Sequence, residues 1–219
     1  MKTIAQITDE LISESPYLEE ALMDNLINIS SLARMFKPDI EKRLGRKVHS
    51  QAIMMAIKRR PSGLSIRISR DIRNFMHKLG DIIVRSDLID YTFENSPGLN
   101  ACNRHLIDGI AREQDVFCTI SQGVYETTLV VSDSLSERIE TVYKQEKLIA
   151  HKSRLSSVTL RLPASNTEIS GIYYFLLKNL GWAGINVCEI ISTSNEVTFV
   201  VDEKDVHKAF SVLMDKKYV

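Results

Sequence analysis

The stretch that decides the fold runs from Gly181 to Val201 and reads G-W-A-G-I-N-V-C-E-I-I-S-T-S-N-E-V-T-F-V-V. Residues 185–192 and 196–201 are rich in β-branched and other apolar side chains, which favour strands. Between them lies the short polar connection Thr193-Ser194-Asn195, which suits a tight reversal of the chain. The stretch therefore predicts a β-hairpin.

The sequence on either side of this hairpin predicts helices. Apolar residues at helical spacing predict a helix over Glu168–Leu180, and Gly181 lies where a helix commonly ends. After the hairpin, Asp205 can cap a second helix with a buried apolar face. With Val158–Leu162 as an opening strand and a short closing strand at Lys217–Val219, the expected order is βαββαβ.

This order, together with I-N-V-C-E-I-I-S-T-S-N-E-V-T-F-V-V and the helix that starts at Asp205, resembles the ACT domain. The resemblance is to the ACT modules of aspartate kinase regulatory regions in particular. It implies a ferredoxin-like βαββαβ sensor that binds an amino acid between paired copies. It also implies small-molecule sensing and not a reaction.

The preceding part of the chain repeats the same order of elements. A β-rich segment is followed by a helix, two strands that form a hairpin around Gly123, a second helix and a returning strand. A repeated order of elements indicates internal duplication even where few residues coincide. The predicted segments are Ile82–Glu94, a helix opened by Ser96-Pro97-Gly98-Leu99, Val116–Gln122, Tyr125–Val131, a helix starting at Ser134 or Ser136, and Leu148–His151.

The stretch F-E-N-S-P-G-L-N-A in the first copy is similar to the ACT loop between the first strand and the first helix. The resemblance places a ligand there, against strands of the paired copy, and helix-start N–H groups suit an amino-acid carboxylate. The closing copy has Ala164–Ile169 at this point and lacks the Pro-Gly pair. The resulting candidate residues are Asn95, Ser96, Pro97, Gly98 and Leu99, facing Asn186, Val187 and Ile190.

A purely structural role of this loop is an equally valid interpretation. Pro-Gly is a common turn pair, and Asn95 can cap the following helix without any ligand being present.

Net charge is distributed unevenly along the 219 residues, although the chain as a whole is neutral. Residues 1–25 carry one Lys against six Asp and Glu, a net charge of −5. Residues 26–80 carry thirteen Lys and Arg against three acids, a net charge of +10, and residues 81–219 carry fourteen against nineteen. Segment 26–80 is thus the candidate for contact with an anionic partner.

The basic segment predicts three short helices. Ser30 or Ser31 can cap the first, Pro38 disfavours helix at Lys37 and can begin the next, and Ser50 can cap the third. This arrangement resembles a helix-turn-helix. The alternating residues Leu64–Ile68 predict a short strand after it, in the manner of a wing.

Binding of double-stranded DNA is the first interpretation of this segment, because basic side chains contact phosphates and the start of a recognition helix reads bases. A basic face that docks on a protein, or a merely solvated bundle, are the alternatives. The candidate DNA-binding residues are Arg34, Lys37, Arg46, Lys47, His49, Gln51, Lys58, Arg59 and Arg60.

Several functional classes find no support in the sequence. Three widely spaced cysteines without a C-x-x-C pair predict reduced thiols and neither a disulfide scaffold nor a zinc site. No set of a nucleophile and a base, phosphate loop or stretch like an amino-acid kinase domain is present, so we expect no enzyme and no cofactor. No apolar run is long enough to span a bilayer, which predicts a cytoplasmic protein without membrane contact.

Taken together, the patterns predict an α+β protein with a helix-turn-helix-like module at residues 1–80 and ACT-like modules at 81–154 and 155–219. We expect a homodimer formed through the ACT-like modules. The predicted function is transcription regulation in response to an amino acid or similar metabolite. The alternative is a non-catalytic allosteric or scaffolding subunit that docks on a protein partner.

Overall fold

The protein is described by a computed structural model, which covers residues 2–59, 63–113 and 115–218. Contacts divide the chain into two compact units, Met1–Asp71 and Ile72–Val219. The helices described are α1 (Ile4–Ser13), α2 (Pro16–Met23), α3 (Ile29–Leu44), α4 (Ser50–Lys58), α5 (Gly63–Met76), α6 (Leu99–Ile110), α7 (Ser136–Val142), α8 (Ile172–Trp182) and α9 (Val206–Lys217). The strands described are β1 (Ile82–Glu94), β2 (Cys118–Gln122), β3 (Glu126–Ser132), β4 (Leu148–Arg161), β5 (Val187–Ser192) and β6 (Glu196–Asp202).

The first unit is helical and is built around one apolar core. Ile7 and Ile12 of α1, Ile40 of α3 and Ile53 of α4 are fully buried in this core. Thr3 and Gln6 form a reciprocal capping box at the start of α1, which satisfies backbone donors that the helix itself leaves free. Burial of one face of each helix therefore organises this unit.

The sequence-based prediction of a break at Pro38 is wrong, because α3 runs without interruption from Ile29 to Leu44. A proline inside a helix removes one backbone hydrogen bond and costs about 3 kcal/mol. Buried Phe36 and Ile40 lie on either side of Pro38 and anchor both halves in the same core. The helix is capped by Asn28, whose Oδ1 accepts from the amides of Ser30 and Ser31, and not by either serine.

The predicted wing strand at Leu64–Ile68 is also wrong, since these residues belong to helix α5. The alternation of apolar residues there overlaps a helical series, because Ile68, Ile72, Phe75 and Met76 are spaced at one to two helical turns. Ile72, Phe75 and Met76 are buried, so the helical series decides the structure. The turn predicted at Pro61 and Ser62 lies outside the described residues.

The second unit contains one antiparallel six-stranded sheet in the order β2-β3-β1-β4-β6-β5. Its two central strands are long, and each takes part in two modules. In the part that we call module A, residues 88–94 of β1 pair with β3 and with residues 148–155 of β4. In module B, residues 155–161 of β4 pair with β6 and with residues 82–85 of β1.

Both modules consequently have the strand order of the predicted ferredoxin-like fold. Module A takes its four strands from β1, β2, β3 and β4, whereas the fourth strand of module B is the first part of β1. The closing strand predicted at the carboxyl end is therefore wrong: α9 extends to Lys217, Tyr218 is not in a strand, and Val219 lies outside the described residues. The two strands predicted at 148–151 and 158–162 are one continuous strand, β4.

Two bulges mark the points where β1 and β4 pass from one module to the other. Asp87 and Arg154 have positive φ values of 55° and 58°, and the register of the β1–β4 pair shifts beside each of them. Bulges of this kind bend a strand and increase its twist. Beside them, Leu88 and Leu155 pair with each other, are fully buried, and pack with Val200 in a small apolar cluster.

The remaining predicted elements of this unit are confirmed, except that α8 differs from the prediction at both ends. It begins at Ile172 and not at Glu168, because Ala164–Thr167 form a 3-10 turn and Gly171, at φ +87°, interrupts the helical backbone before Ile172. The helix continues through Gly181 to Trp182, and the residue with left-handed backbone after it is Gly184, at φ +71°. Glycine adopts this conformation without steric penalty, so Gly184 is the glycine that permits the turn into β5. Among the helices of the described residues, none is long and apolar enough to cross a bilayer.

Candidate ligand and nucleic-acid sites

The predicted ligand loop connects β1 to α6 in module A and is fastened to the β2–β3 hairpin by Asn95. The side chain of Asn95 donates to the Gly123 carbonyl at 2.9 Å and accepts from the Thr127 hydroxyl at 2.6 Å. Its backbone amide donates to the Tyr125 carbonyl at 2.9 Å. Asn95 thus fixes the position of the loop and does not act as the cap of α6.

Ser96 organises the other side of the loop. Its hydroxyl oxygen accepts from the amides of Gly98 and Leu99, both at 3.1 Å, and the hydroxyl donates to the carboxylate of Glu146. Those two amides are the donors that the sequence suggested for a ligand carboxylate, and both are engaged within the chain.

Glu146 is a residue of this site that the sequence did not indicate. It follows α7, some 50 positions after Ser96, and no motif links the two residues. A Cβ atom placed on Gly98 would lie 2.5 Å from Glu146 Oε1, so the glycine is what permits the carboxylate to approach the loop. Burial, and then the negative charge of Glu146, raise the pKa of the nearby Cys102 thiol.

The residues predicted to face this loop lie in module B. Val187 begins β5 and pairs with Val201, Asn186 precedes it and is exposed, and Ile190 is 45% exposed on the same strand. Within the described part of the chain, none of the hydrogen bonds made by the loop reaches these three residues. Whether they form one site with the loop therefore stays a prediction.

The two modules share local features of the strands in addition to the order of their elements. Arg85-Ser86-Asp87-Leu88 and Lys152-Ser153-Arg154-Leu155 occupy the two bulges. The cross-strand pair Thr92–Thr128, with hydroxyls 3.1 Å apart, recurs as Thr159–Thr198 at 2.8 Å. The repeat is also present in the sequence. Corresponding residues are 67 positions apart in the first strand of each module and 70 positions apart in the third.

A polar cluster lies where β5 of module B approaches the long strands. Lys152 Nζ is 2.9 Å from Asp202 Oδ1 and donates to Cys188 Sγ at 3.1 Å. Burial raises the pKa of Asp90, against the opposing effect of its hydrogen bond with Thr92. Burial, and then the charge of Asp90, also raise the pKa of Glu189. These ionisable groups link the modules electrostatically.

The predicted nucleic-acid interface lies on α3, α4 and the turn between them. Gly45, at φ +68°, ends α3, and residues 45–49 lead into α4. The predicted cap at Ser50 is wrong, because Ser50 is the first residue of the helix and His49 is the N-cap residue, without a side-chain capping bond. Lys37 is half-buried and lies 3.9 Å from Glu41, and Arg60 is outside the described residues. The predicted residues that are exposed are Arg34, Arg46, Lys47, His49, Gln51, Lys58 and Arg59.

Arg46 and Arg59 are brought together at a groove of about 740 Å³ between the start of α1 and α4. Its floor includes Ala5, Ala52 and Met55, and Met55 is 44% exposed. Among the described side chains, no three His, Cys, Asp or Glu residues lie close enough together to hold a metal ion. The arrangement offers positive charge beside an apolar surface.

No family model matches the sequence, and no curated protein matches it either. Solved structures do match. The alpha and beta subunits of an aspartokinase match with a TM-score of 0.53 at 13% identity, over 64% of this chain and 99% of that one. A putative C-terminal regulatory domain of aspartate kinase from Porphyromonas gingivalis W83 matches with a TM-score of 0.50 at 14% identity, over 64% and 97%.

Aspartate kinase from Clostridium acetobutylicum, described as an allosteric enzyme, matches with a TM-score of 0.51 at 18% identity. The match covers 63% of this chain and 34% of that enzyme, so this chain matches about a third of that enzyme's length. At these identities the likeness shows the fold alone. The chain has the α+β fold of aspartate kinase regulatory domains, with two ACT-like modules.

Proposed function

We propose that this chain is a non-catalytic regulatory protein that responds to an amino acid or a similar small metabolite. The observation that carries the proposal is the pair of ACT-like modules joined through β1 and β4. If β1 or β4 moves in one module, the other module is also altered, because the same strand belongs to both. Such a connection is suited to transmitting the effect of a bound ligand.

The proposed ligand site is formed by the loop Asn95–Leu99 together with Asn186, Val187 and Ile190 of a paired module. The loop is held rigidly by Asn95 and Ser96, which favours a preformed site. In our proposal two copies of the chain associate through their ACT-like modules and so bring loop and strands together.

The test of ligand binding is a thermal-shift screen of the purified protein against the proteinogenic amino acids. A specific ligand raises the melting temperature, and the rise grows with ligand concentration. At a ligand concentration of 100 times its Kd, the free energy of unfolding increases by about 2.7 kcal/mol. If no amino acid raises the melting temperature, sensing of amino acids is excluded.

We further propose that the helical unit binds double-stranded DNA, with α3 and α4 acting as a helix-turn-helix. Exposed Gln51 in the first turn of α4 is positioned to read base edges, as the start of a recognition helix does. Arg46 and Lys47 in the preceding turn supply contacts to phosphate. The ligand would then change the affinity for DNA.

DNA binding is tested by fluorescence anisotropy with a duplex at several salt concentrations. We expect affinity to fall linearly on a double-logarithmic plot, and Lys47→Gln to reduce the slope by about one. Arg112→Gln serves as the control, because Arg112 is an exposed cation of the other unit. Absence of salt-dependent binding, or equal loss in the control, would refute the proposal.

The groove beside Arg46 and Arg59 favours a second candidate, docking on an acidic protein. Its apolar floor, with Ala5, Ala52 and Met55, is a surface for side chains and not for phosphates. This candidate predicts that Met55→Ala, which changes no charge, weakens capture of a protein partner and leaves the salt-dependent binding of DNA unchanged. A partner whose capture is lost when excess duplex DNA is added would contradict it.

A further inference from the structure

The loop Asn95–Leu99 has few donors left for an anionic ligand. The amides of Gly98 and Leu99 donate to Ser96, the amide of Asn95 donates to Tyr125, and Pro97 has no N–H group. Among the hydrogen bonds of the described residues, the amide of Ser96 is the one loop amide without an acceptor, so a carboxylate that needs two amide donors would have to displace one of these bonds. Binding of a carboxylate at this loop is therefore disfavoured.

The group that the loop does present is an acceptor. The Glu146 carboxylate accepts a hydrogen bond from the Ser96 hydroxyl on Oε2, and Oε1 lies beside the backbone of Gly98, with the Cys102 thiol as a weak donor at 4.0 Å. A carboxylate has about four acceptor positions, so the bond with Ser96 leaves capacity for further donors. The side chain is partly exposed, which keeps it accessible to a ligand.

Two further carboxylates, those of Glu94 and Glu126, lie at the same end of module A as the loop. Glu94 pairs directly with Glu126 across β1 and β3, and Lys147 is the cation that pairs with Glu94. Like charges directly opposite each other on a sheet are unfavourable unless a cation compensates them. Of the four groups Glu94, Glu126, Glu146 and Lys147, three are carboxylates and one is an ammonium group.

Module B provides an internal comparison at the corresponding positions. Arg161 replaces Glu94 and pairs with Glu196 across β4 and β6. The common fold therefore does not require an acidic residue at the position of Glu94. An acidic residue at this position is particular to module A, which is also the module with the Pro-Gly loop.

We propose that Glu146 is a specificity-determining residue of the loop site and recognises a cationic group of the effector, such as the ammonium group of an amino acid. This inference rests on the proposed ligand site. The ammonium group donates to Glu146 while Ser96 holds the carboxylate in place. The loop site therefore selects effectors that carry a positive charge.

The experiment uses the full chain and compares ligands that differ in charge. Each amino acid that raises the melting temperature is compared with its N-acetyl derivative and with the amine that lacks its carboxyl group. For an effector whose only cation is the α-ammonium group, we expect acetylation to abolish binding and the amine to retain it. Binding of the acetylated compound as tightly as the parent would overturn the inference.

Variants of the protein provide the second arm. Isothermal titration should show that Glu146→Gln weakens binding about 10- to 100-fold, the range for a lost charge-assisted hydrogen bond. Glu140→Gln, on exposed Glu140 of the preceding helix, is the matched control and should bind normally. Glu146→Asp keeps the charge and should bind more tightly than Glu146→Gln.

The outcomes separate the two proposals. Binding that is unchanged or tighter in Glu146→Gln overturns the role of Glu146 and leaves the sensor function intact. If no amino acid binds the wild-type chain, the sensor function fails and this inference fails with it. If Glu146→Gln does not fold, the wild-type chain still tests the inference, through the comparison of each amino acid with its N-acetyl derivative and with its amine.

Discussion

A substitution that destabilises the core of module A should also lower the stability of module B, because β1 and β4 belong to both modules. Leu106 of α6 is fully buried in the core of module A, and Leu→Ala at such a site costs about 2–5 kcal/mol. Trp182, the single tryptophan of the chain, is the last residue of α8 in module B. It therefore reports on module B without a contribution from the helical unit.

The assay is equilibrium unfolding in urea, followed by the emission intensity of Trp182; because Trp182 is 75% exposed in the folded protein, a large shift in emission wavelength is not expected. With a slope of about 2 kcal/mol per molar urea, Leu106→Ala should lower the midpoint by about 1–2.5 M. Ile107→Ala is the matched control, because Ile107 is the next residue on α6 and is 51% exposed. We expect the control to shift the midpoint by less than about a third as much. A Trp182 midpoint that is the same in Leu106→Ala and in the wild type would refute the sharing of strands as a source of cooperativity.

The other predictions concern single backbone and charge features of the second unit. Gly184→Ala should destabilise the protein by about 1 kcal/mol because Gly184 has a positive φ. Gly181→Ala should stabilise the protein by about 0.5–1 kcal/mol, because Gly181 lies in a helix and has open space around it. Thermal melts of both variants would check this. Gly98→Ala should destabilise through the clash with Glu146, and a double-mutant cycle with Glu146→Ala should recover most of the loss; an additive result would contradict the contact. Because burial raises the pKa of Asp90, the folded state binds the proton more tightly than the unfolded state, so stability should fall as the pH rises from about 3.8 through the raised value. Asp90→Asn should remove this part of the pH dependence in urea titrations; an unchanged profile would contradict it.

The local elements of the sheet could be predicted from the sequence because their signals are local. The hairpin at residues 185–201 combines two β-rich runs with a polar turn, and the structure forms it as β5 and β6. The continuity of β4 could not be predicted. Residues 152–157 read K-S-R-L-S-S, which suggests a loop, but β1 on one side and β6 on the other pair with them. Pairing partners distant in sequence override weak local preference.

The candidate site was predictable in part for the same reason. The turn chemistry of Ser96-Pro97-Gly98 is visible in the sequence, and the structure has a loop and a helix start there. Glu146 was not predictable, because it reaches the loop only once α7 and β4 have folded against α6. The continuity of α3 through Pro38 was not predictable for a similar reason. The packing of Phe36 and Ile40 in the core outweighs the cost of a proline inside a helix.

The shared strands also bear on how such a protein can arise. In a domain-swapped dimer, two identical chains exchange an equivalent element, so that each compact body contains a piece of the other chain. Here residues 82–85 complete module B from a position upstream of module A, and the bulges at Asp87 and Arg154 mark the two crossing points. The second unit thus has the arrangement expected if a strand-exchanged dimer of single modules became fused into one polypeptide. A cut between residues 154 and 155 would divide a strand and would not release an intact module.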